Sequence, residues 1–170
     1  MPLTRAFVAF GSNVGDRLET MREALRLLTA DGKTRRMKTS PVYQNRAVGM
    51  GDADPFLNAV VEFKTALDAD ALLEQCFLVE AKLGRQRATS WQPRTLDLDL
   101  LAYGTEQRRD AHLTLPHPRI SERDFVAQPL CDLAPDLEIN GQTMQAIVAA
   151  LPEFELELFR EQLEGQSPKQ

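Results

Sequence analysis

The segment Leu96-Asp97-Leu98-Asp99-Leu100 constrains this chain most, because its strict alternation of leucine and aspartate suits a half-buried β-strand. Strand side chains alternate between faces, so Asp97 and Asp99 point one way while Leu96, Leu98 and Leu100 point into a core. With about 6 Å between the two carboxylates and an effective dielectric near 20, their repulsion is roughly 3 kcal/mol, which a divalent cation reverses. An all-oxygen pair suits a hard cation such as magnesium. Asp-x-Asp by itself is more often the solvated face of a strand. The flanks carry the metal reading. Trp91, Pro93 and Arg94 precede the pair and Arg85-Gln86-Arg87 lies just upstream, so phosphate-binding cations and a metal-binding pair fall in one short stretch.

A chain of 170 residues is long enough for one well-buried domain and short for two. We expect a single domain over residues 1–152 and an acidic C-terminal tail over 153–170. A hydrophobic fraction of 43% and a charged fraction of 26% are those of an ordinary globular protein, with no apolar run fit to cross a bilayer. The start becomes an alternating strand rather than an apolar leader, so the expectation is a cytoplasmic protein. Cys76 and Cys131 are too few for a disulfide framework and read as reduced thiols. A net charge of −5 argues against nucleic acid as partner. Charge is unevenly spread, however. Between Arg85 and Arg123 seven arginines face five acids, a balance of +2 that leaves −7 for the rest.

Residues 5–10 read as a first strand, Gly11-Ser12-Asn13 as a turn, and Val14, Leu18, Met21, Leu25 and Leu28 as the apolar stripe of a helix. Asp16 and Glu19 have capping-box spacing at its start, and Gly32 lies near its end. A second strand is expected over 39–44, followed by a loop over 45–55. The third strand sets Leu57, Ala59, Val61 and Phe63 on one side and Phe56, Asn58, Val60 and Glu62 on the other, so an aromatic ring and an amide share a face. Leu72, Cys76, Val79 and Leu83 mark a second helix, opened by Asp68 or Asp70 and closed by Gly84. Glu80 falls in its last turn, where the helix dipole disfavours an acid. Residues 84–93 lack periodicity and read as a second loop. The order βαββαβ fits an α/β (α+β) ferredoxin-like sandwich, a mostly antiparallel sheet with helices packed on it and an open ligand face. Beyond it, residues 113–125 read as a loop and short helix and 144–151 as a small helix.

Gly11-Ser12-Asn13, Phe56-Leu57-Asn58, Leu83-Gly84-Arg85-x-Arg87, Trp91-x-Pro93-Arg94-Thr95-Leu96-Asp97-Leu98-Asp99, Pro116-His117-Pro118 and Arg123-Asp124-Phe125 stand together in one order. In these blocks the chain closely resembles the 6-hydroxymethyl-7,8-dihydropterin pyrophosphokinase family of folate synthesis, from residue 5 to about residue 137. The resemblance implies pyrophosphate transfer from MgATP to the pterin hydroxymethyl group, with release of AMP. It implies Asp97 and Asp99 as ligands of two magnesium ions, acting in catalysis with Arg85 and Arg94. Glu80, Arg87, Trp91, His117 and Arg123 match the ATP side, and Asn45, Val48, Phe56, Asn58 and Phe125 the pterin side. The chemistry agrees. Forked donors hold a triphosphate straight, two rings sandwich a flat heterocycle, and the Asn58 amide offers it a donor and an acceptor. Taken singly, Phe56 and Phe125 suit plain core packing, and a lone His117 is more often structural.

The implied partners are therefore ATP and the pterin, with neither membrane nor nucleic acid, for a monomer. Loops 45–55 and 84–93 are placed to shield the donor from water. The first loop departs from the family's Tyr-x-Thr-x-Pro-x-Gly, reading Tyr43-Gln44-Asn45-Arg46-Ala47-Val48-Gly49, and losing the proline adds about 1 kcal/mol of ordering entropy. Trp-Gly-Pro-Arg is likewise Trp91-Gln92-Pro93-Arg94, preceded by Ser90. Three other readings stay open at this point: a weak paralogue that binds without efficient transfer, a metal site for another phosphoester or nucleotide-sugar reaction, and a structural domain with a solvated acidic strand.

Overall fold

The computed structural model describes residues 2–13, 16–45, 56–85, 96–152 and 156–163. Its spine is β1 (Thr4–Ser12), whose alternate residues are buried on both sides. Ala6, Val8 and Phe10 enter one core, while Phe7 and Ala9 enter another on the opposite face. The chain then forms α1 (Arg17–Leu28), with Asp16 accepting the Glu19 backbone N–H at 3.1 Å, so the expected cap forms. Leu18, Met21, Ala24 and Leu28 bury the helix against the first core.

The single strand expected over 39–44 is instead two, β2 (Thr34–Thr39) and β3 (Tyr43–Asn45), parted by Ser40-Pro41-Val42. Proline has no N–H to give a ladder, which breaks the strand there. Ser40 bridges the gap: its N–H bonds Val60 O and its hydroxyl accepts the Val60 N–H, each at 2.9 Å. The early part of β2 is masked in the sequence because Arg35, Arg36, Met37 and Lys38 are all exposed. Charge on an outer strand protects its free edge.

β4 (Leu57–Thr65) pairs antiparallel with β1 along its whole length, with Gly11 opposite Asn58. Its other edge takes β2 and β3. The helix α2 (Ala69–Arg85) begins at Asp68, whose carboxylate accepts the Ala71 N–H at 2.8 Å. Asp70 serves elsewhere, pairing with Arg108. Gly84 does not close the helix, which runs on to Arg85. β5 (Leu96–Tyr103) pairs antiparallel with β1, setting Asp97 opposite Gly11 and Asp99 opposite Ala9. Leu96, Leu98 and Leu100 are buried in the first core, as their alternation requires.

After β5 come a hairpin of β6 (Arg108–Arg109) and β7 (Thr114–Leu115), a short 3-10 turn at Ile120–Glu122, and α3 (Asp124–Leu133). A second hairpin, β8 (Glu138–Ile139) and β9 (Gln142–Thr143), leads into α4 (Met144–Ala150). Val126, Ala127 and Leu130 of α3 and Met144 and Ile147 of α4 pack on Phe7, Ala9, Val60 and Leu101. The sheet is mostly antiparallel with helices on it, as a ferredoxin-like sandwich requires, and the ligand face stays open only where α3 and α4 leave it uncovered.

Residues 156–163, expected as an acidic tail, contribute β10 (Leu156–Leu158), which pairs antiparallel with β3. Leu163 is 1% exposed in the first core. Arg22 fastens this segment by donating to Gln162 O at 2.8 Å and Leu163 O at 3.1 Å. No helix among the described residues is long and apolar enough to cross a membrane.

Candidate active site

Register builds the site across three adjacent strands. Gly11 lies between Asn58 on β4 and Asp97 on β5, and all three face the uncovered part of the sheet. The expectation that Gly11-Ser12-Asn13 is a turn is corrected here, because Gly11 and Ser12 complete β1. A Cβ on Gly11 would stand 3.3 Å from Asn58 Oδ1 and 3.8 Å from the Phe56 ring. The glycine keeps open a cavity of about 280 Å³ lined by Gly11, Phe56, Asn58, Asp97, Arg123 and Phe125, with Asp99 at its edge. Phe125 stands in the first turn of α3, and the Arg123 guanidinium lies 5.8 Å from its ring centre. That is within reach of a cation–π contact. The slot thus has an aromatic ring on the sheet side, another on the helix side and the buried Asn58 amide in its lining.

A second cavity, of about 330 Å³, opens on the outer side of β5. Phe77, Glu80, Asp99, His112, Thr114 and His117 are among its walls. Asp99 lines both cavities, so a ligand filling the two would pass over the acidic pair.

Electrostatics distinguish these groups. Asp97 is open to the cleft, yet the surrounding walls strip enough water to raise its pKa. Asp99 raises it further and Arg123 opposes. Glu80 reaches from α2 to accept the Leu98 N–H at 2.7 Å, the peptide between the two aspartates. Burial pushes its carboxyl up to about 7; the Leu98 bond works against this, while Asp97 and Asp99 add to it. Its expected place in a final, dipole-disfavoured turn is corrected, since α2 continues for another turn. Among the described residues no group of three or more metal-binding side chains gathers. Two carboxylates alone suit a hard cation that keeps waters and takes its other ligands from a substrate's phosphates.

His117 is anchored by its own N–H, which bonds Leu101 O at 2.8 Å. Its Nδ1 accepts the Arg119 backbone N–H at 3.1 Å, which assigns the ring proton of the neutral form to Nε2. Burial lowers its pKa, Asp99 opposes, and Arg123 and Arg119 add to the lowering, so the ring is a neutral donor at neutral pH.

Of the residues singled out in the sequence, Phe56, Asn58, Asp97, Asp99, Arg123 and Phe125 meet at the first cavity and Glu80, Asp99 and His117 at the second. Asn45 ends β3 and Arg85 ends α2. Val48, Arg87, Trp91 and Arg94, with most of loops 45–55 and 84–93, lie outside the described residues. Gly11 enters the sequence reading only as part of a turn motif, and Phe77 is not singled out there. Phe77 carried one signal, an apolar ring off the helix stripe, and is 49% exposed.

Fold and site together define an α+β ligand-binding domain in which an acidic strand lies between an aromatic-lined cavity and a second polar one. Residues 7–135 match the family model of 7,8-dihydro-6-hydroxymethylpterin-pyrophosphokinase (HPPK), and the chain belongs to that family. It is 42% identical over 149 residues to the 2-amino-4-hydroxy-6-hydroxymethyldihydropteridine pyrophosphokinase of Methylorubrum extorquens, covering 88% of this chain and 94% of that one. The Bacillus subtilis protein of the same name is 41% identical over 133 residues, 78% of this chain and 80% of the relative. Among solved structures, an HPPK-DHPS in complex with substrates superposes with a TM-score of 0.68 at 11% identity, over 88% of this chain. The Plasmodium falciparum HPPK-DHPS triple mutant with pteroate gives 0.62 at 13% identity, over 86%. These two likenesses concern the fold. The chain spans about 43% of the length of each of those longer proteins.

Proposed function

We infer that this chain catalyses its family's reaction, transfer of pyrophosphate from ATP to the hydroxymethyl group of 6-hydroxymethyl-7,8-dihydropterin with release of AMP. The observation that carries the site assignment is Asp99, shared by an aromatic slot and a polar cavity on opposite sides of one strand. The slot takes the flat pterin between Phe56 and Phe125, with the Asn58 amide pairing to its polar edge. ATP lies in the second cavity and runs its phosphates past Asp99 toward the slot. There Arg123 and the His117 Nε2–H donate to phosphate oxygens. The hydroxymethyl oxygen attacks the β-phosphorus in line and gives up its proton to solvent, the bond from that phosphorus to the α,β-bridging oxygen breaks, and AMP departs with that oxygen.

Asp97 and Asp99 are assigned to magnesium, two ions by resemblance. Bound there, Mg²⁺ supplies neutralisation of the phosphate charge. Glu80 holds the Leu98 peptide and with it the spacing of the two aspartates. Arg85 and Arg94, with Arg87 and Trp91, complete the phosphate side by their place in the sequence, as Asn45 and Val48 do for the pterin side.

The test is AMP release with the pterin, ATP and Mg²⁺. Pterin-dependent AMP is expected from the wild type, and its absence overturns the assignment. Asp97→Ala is expected to lose that activity while retaining its melting temperature in metal-free buffer, because it relieves the repulsion between neighbouring acids. Turnover close to wild type would remove Asp97 from the mechanism.

A further inference from the structure

The slot is bounded by two separate bodies. The sheet side supplies Gly11, Phe56 and Asn58, and the first turn of α3 supplies Phe125 and Val126. Val126, Ala127 and Leu130 seat α3 on Phe7, Ala9 and Val60 through apolar contact. The driving force of such contact is non-directional, so it selects a rotation or slide less sharply than a directional bond does. A hydrogen bond is directional. Tyr43 donates its hydroxyl hydrogen to Asp132 Oδ2, a hydrogen bond that joins the sheet to α3. The acceptor is held at both oxygens, since Gln128 Nε2 donates to Asp132 Oδ1 at 2.9 Å. Burial, then the bond to Asp132, raises the Tyr43 hydroxyl's pKa and keeps it a donor.

The spacing along α3 connects this contact to the slot. Asp132 follows Phe125 by seven residues, which on a regular helix is within about 20° of the same face and about 10 Å along the axis, although Pro129 between them removes one N–H from the ladder and bends α3 there. The stripe that carries the ring therefore also carries the carboxylate. At the other end, Tyr43 is the direct strand partner of Asn58. We propose that Tyr43 and Asp132 are positioning residues that set the width of the heterocycle slot, pinning the Phe125-bearing face of α3 to the strand beside Asn58. The proposal rests on the assignment of the slot to the pterin.

The full chain carrying Tyr43→Phe, Asp132→Ala, both together, or Asp132→Asn is compared with the wild type. Calorimetry gives the Kd of 6-hydroxymethyl-7,8-dihydropterin and of ATP with Mg²⁺, and AMP release gives KM and kcat. Tyr43→Phe and Asp132→Ala are each expected to raise the pterin Kd and KM about fivefold to tenfold and to leave the ATP Kd within about twofold, with the double variant no worse than either single one. Asp132→Asn keeps an acceptor oxygen and is expected to recover most of the pterin affinity. Unchanged pterin binding in Tyr43→Phe overturns the proposal. So does equal weakening of both ligands alongside a fall in Tm, the mark of a merely structural contact. If the wild type binds no pterin, the substrate assignment falls and the proposal with it; wild-type binding with an insensitive Tyr43→Phe overturns the clasp alone.

Discussion

Gly11 acts through the side chain it lacks. An added methyl group would press on Asn58 Oδ1 and come into ordinary contact with the Phe56 ring. Gly11→Ala is expected to weaken pterin binding by about 1 kcal/mol or more, roughly fivefold to tenfold, through overpacking of the slot. Binding of ATP with Mg²⁺ should stay within about twofold of wild type, since the cavity proposed for it lies on the outer side of β5. Titration calorimetry of both ligands separates the cases, and a parallel loss of the two would mean that β1 itself has shifted. The residues legible in the sequence differ from Gly11 in kind. Asp97, Asp99, Phe56 and Asn58 announce themselves because a period of two places each pair on one face. A glycine whose function is empty space has no such signal until the neighbours across two strand pairings are known.

At the scale of elements, helices were more legible than edge strands. The stripes of α1 and α2 repeat over several turns and their starts carry side-chain caps, so each was placed close to its observed bounds. β2 and β10 are short and largely exposed, and each depends on a partner strand for its backbone bonds. The segment after β10 is nevertheless part of the core, because Leu163 is buried with Arg22 closing over its carbonyl. Leu163→Ala is expected to destabilise the fold by about 2–5 kcal/mol, the range for emptying a buried leucine site. Denaturant unfolding measures this. A change below about 1 kcal/mol would mean that the segment only rests on the surface.

For the whole molecule, the site's acids couple stability to pH. Glu80 ionises at 4.5 when free and at about 7 in the fold. The folded state therefore holds this proton more tightly than the unfolded chain, so its contribution to stability is full below pH 4.5 and is lost as pH rises toward 7. Asp97, raised likewise, acts in the same direction. His117, held below its ordinary value by burial, opposes them below pH 6.5, so the share of Glu80 is read from Glu80→Gln, which keeps an acceptor for Leu98: as pH rises from 4.5 to 7 the metal-free wild type should lose more melting temperature than this variant. Melting curves at stepped pH test this, and an unchanged slope would show that Glu80 is ionised throughout. The amino-acid sequence by itself determined the fold class, the acidic pair, the ring-and-amide face and the family, because each is written in local periodicity or in ordered motifs. Only the tertiary structure decided that Gly11 stands between Asn58 and Asp97, that Asp99 is shared by two cavities, that Glu80 caps the peptide between the two aspartates and that Tyr43 reaches Asp132. Those relations join residues 18 to 89 positions apart. Register and packing create them, and neither is encoded in any one segment of the chain.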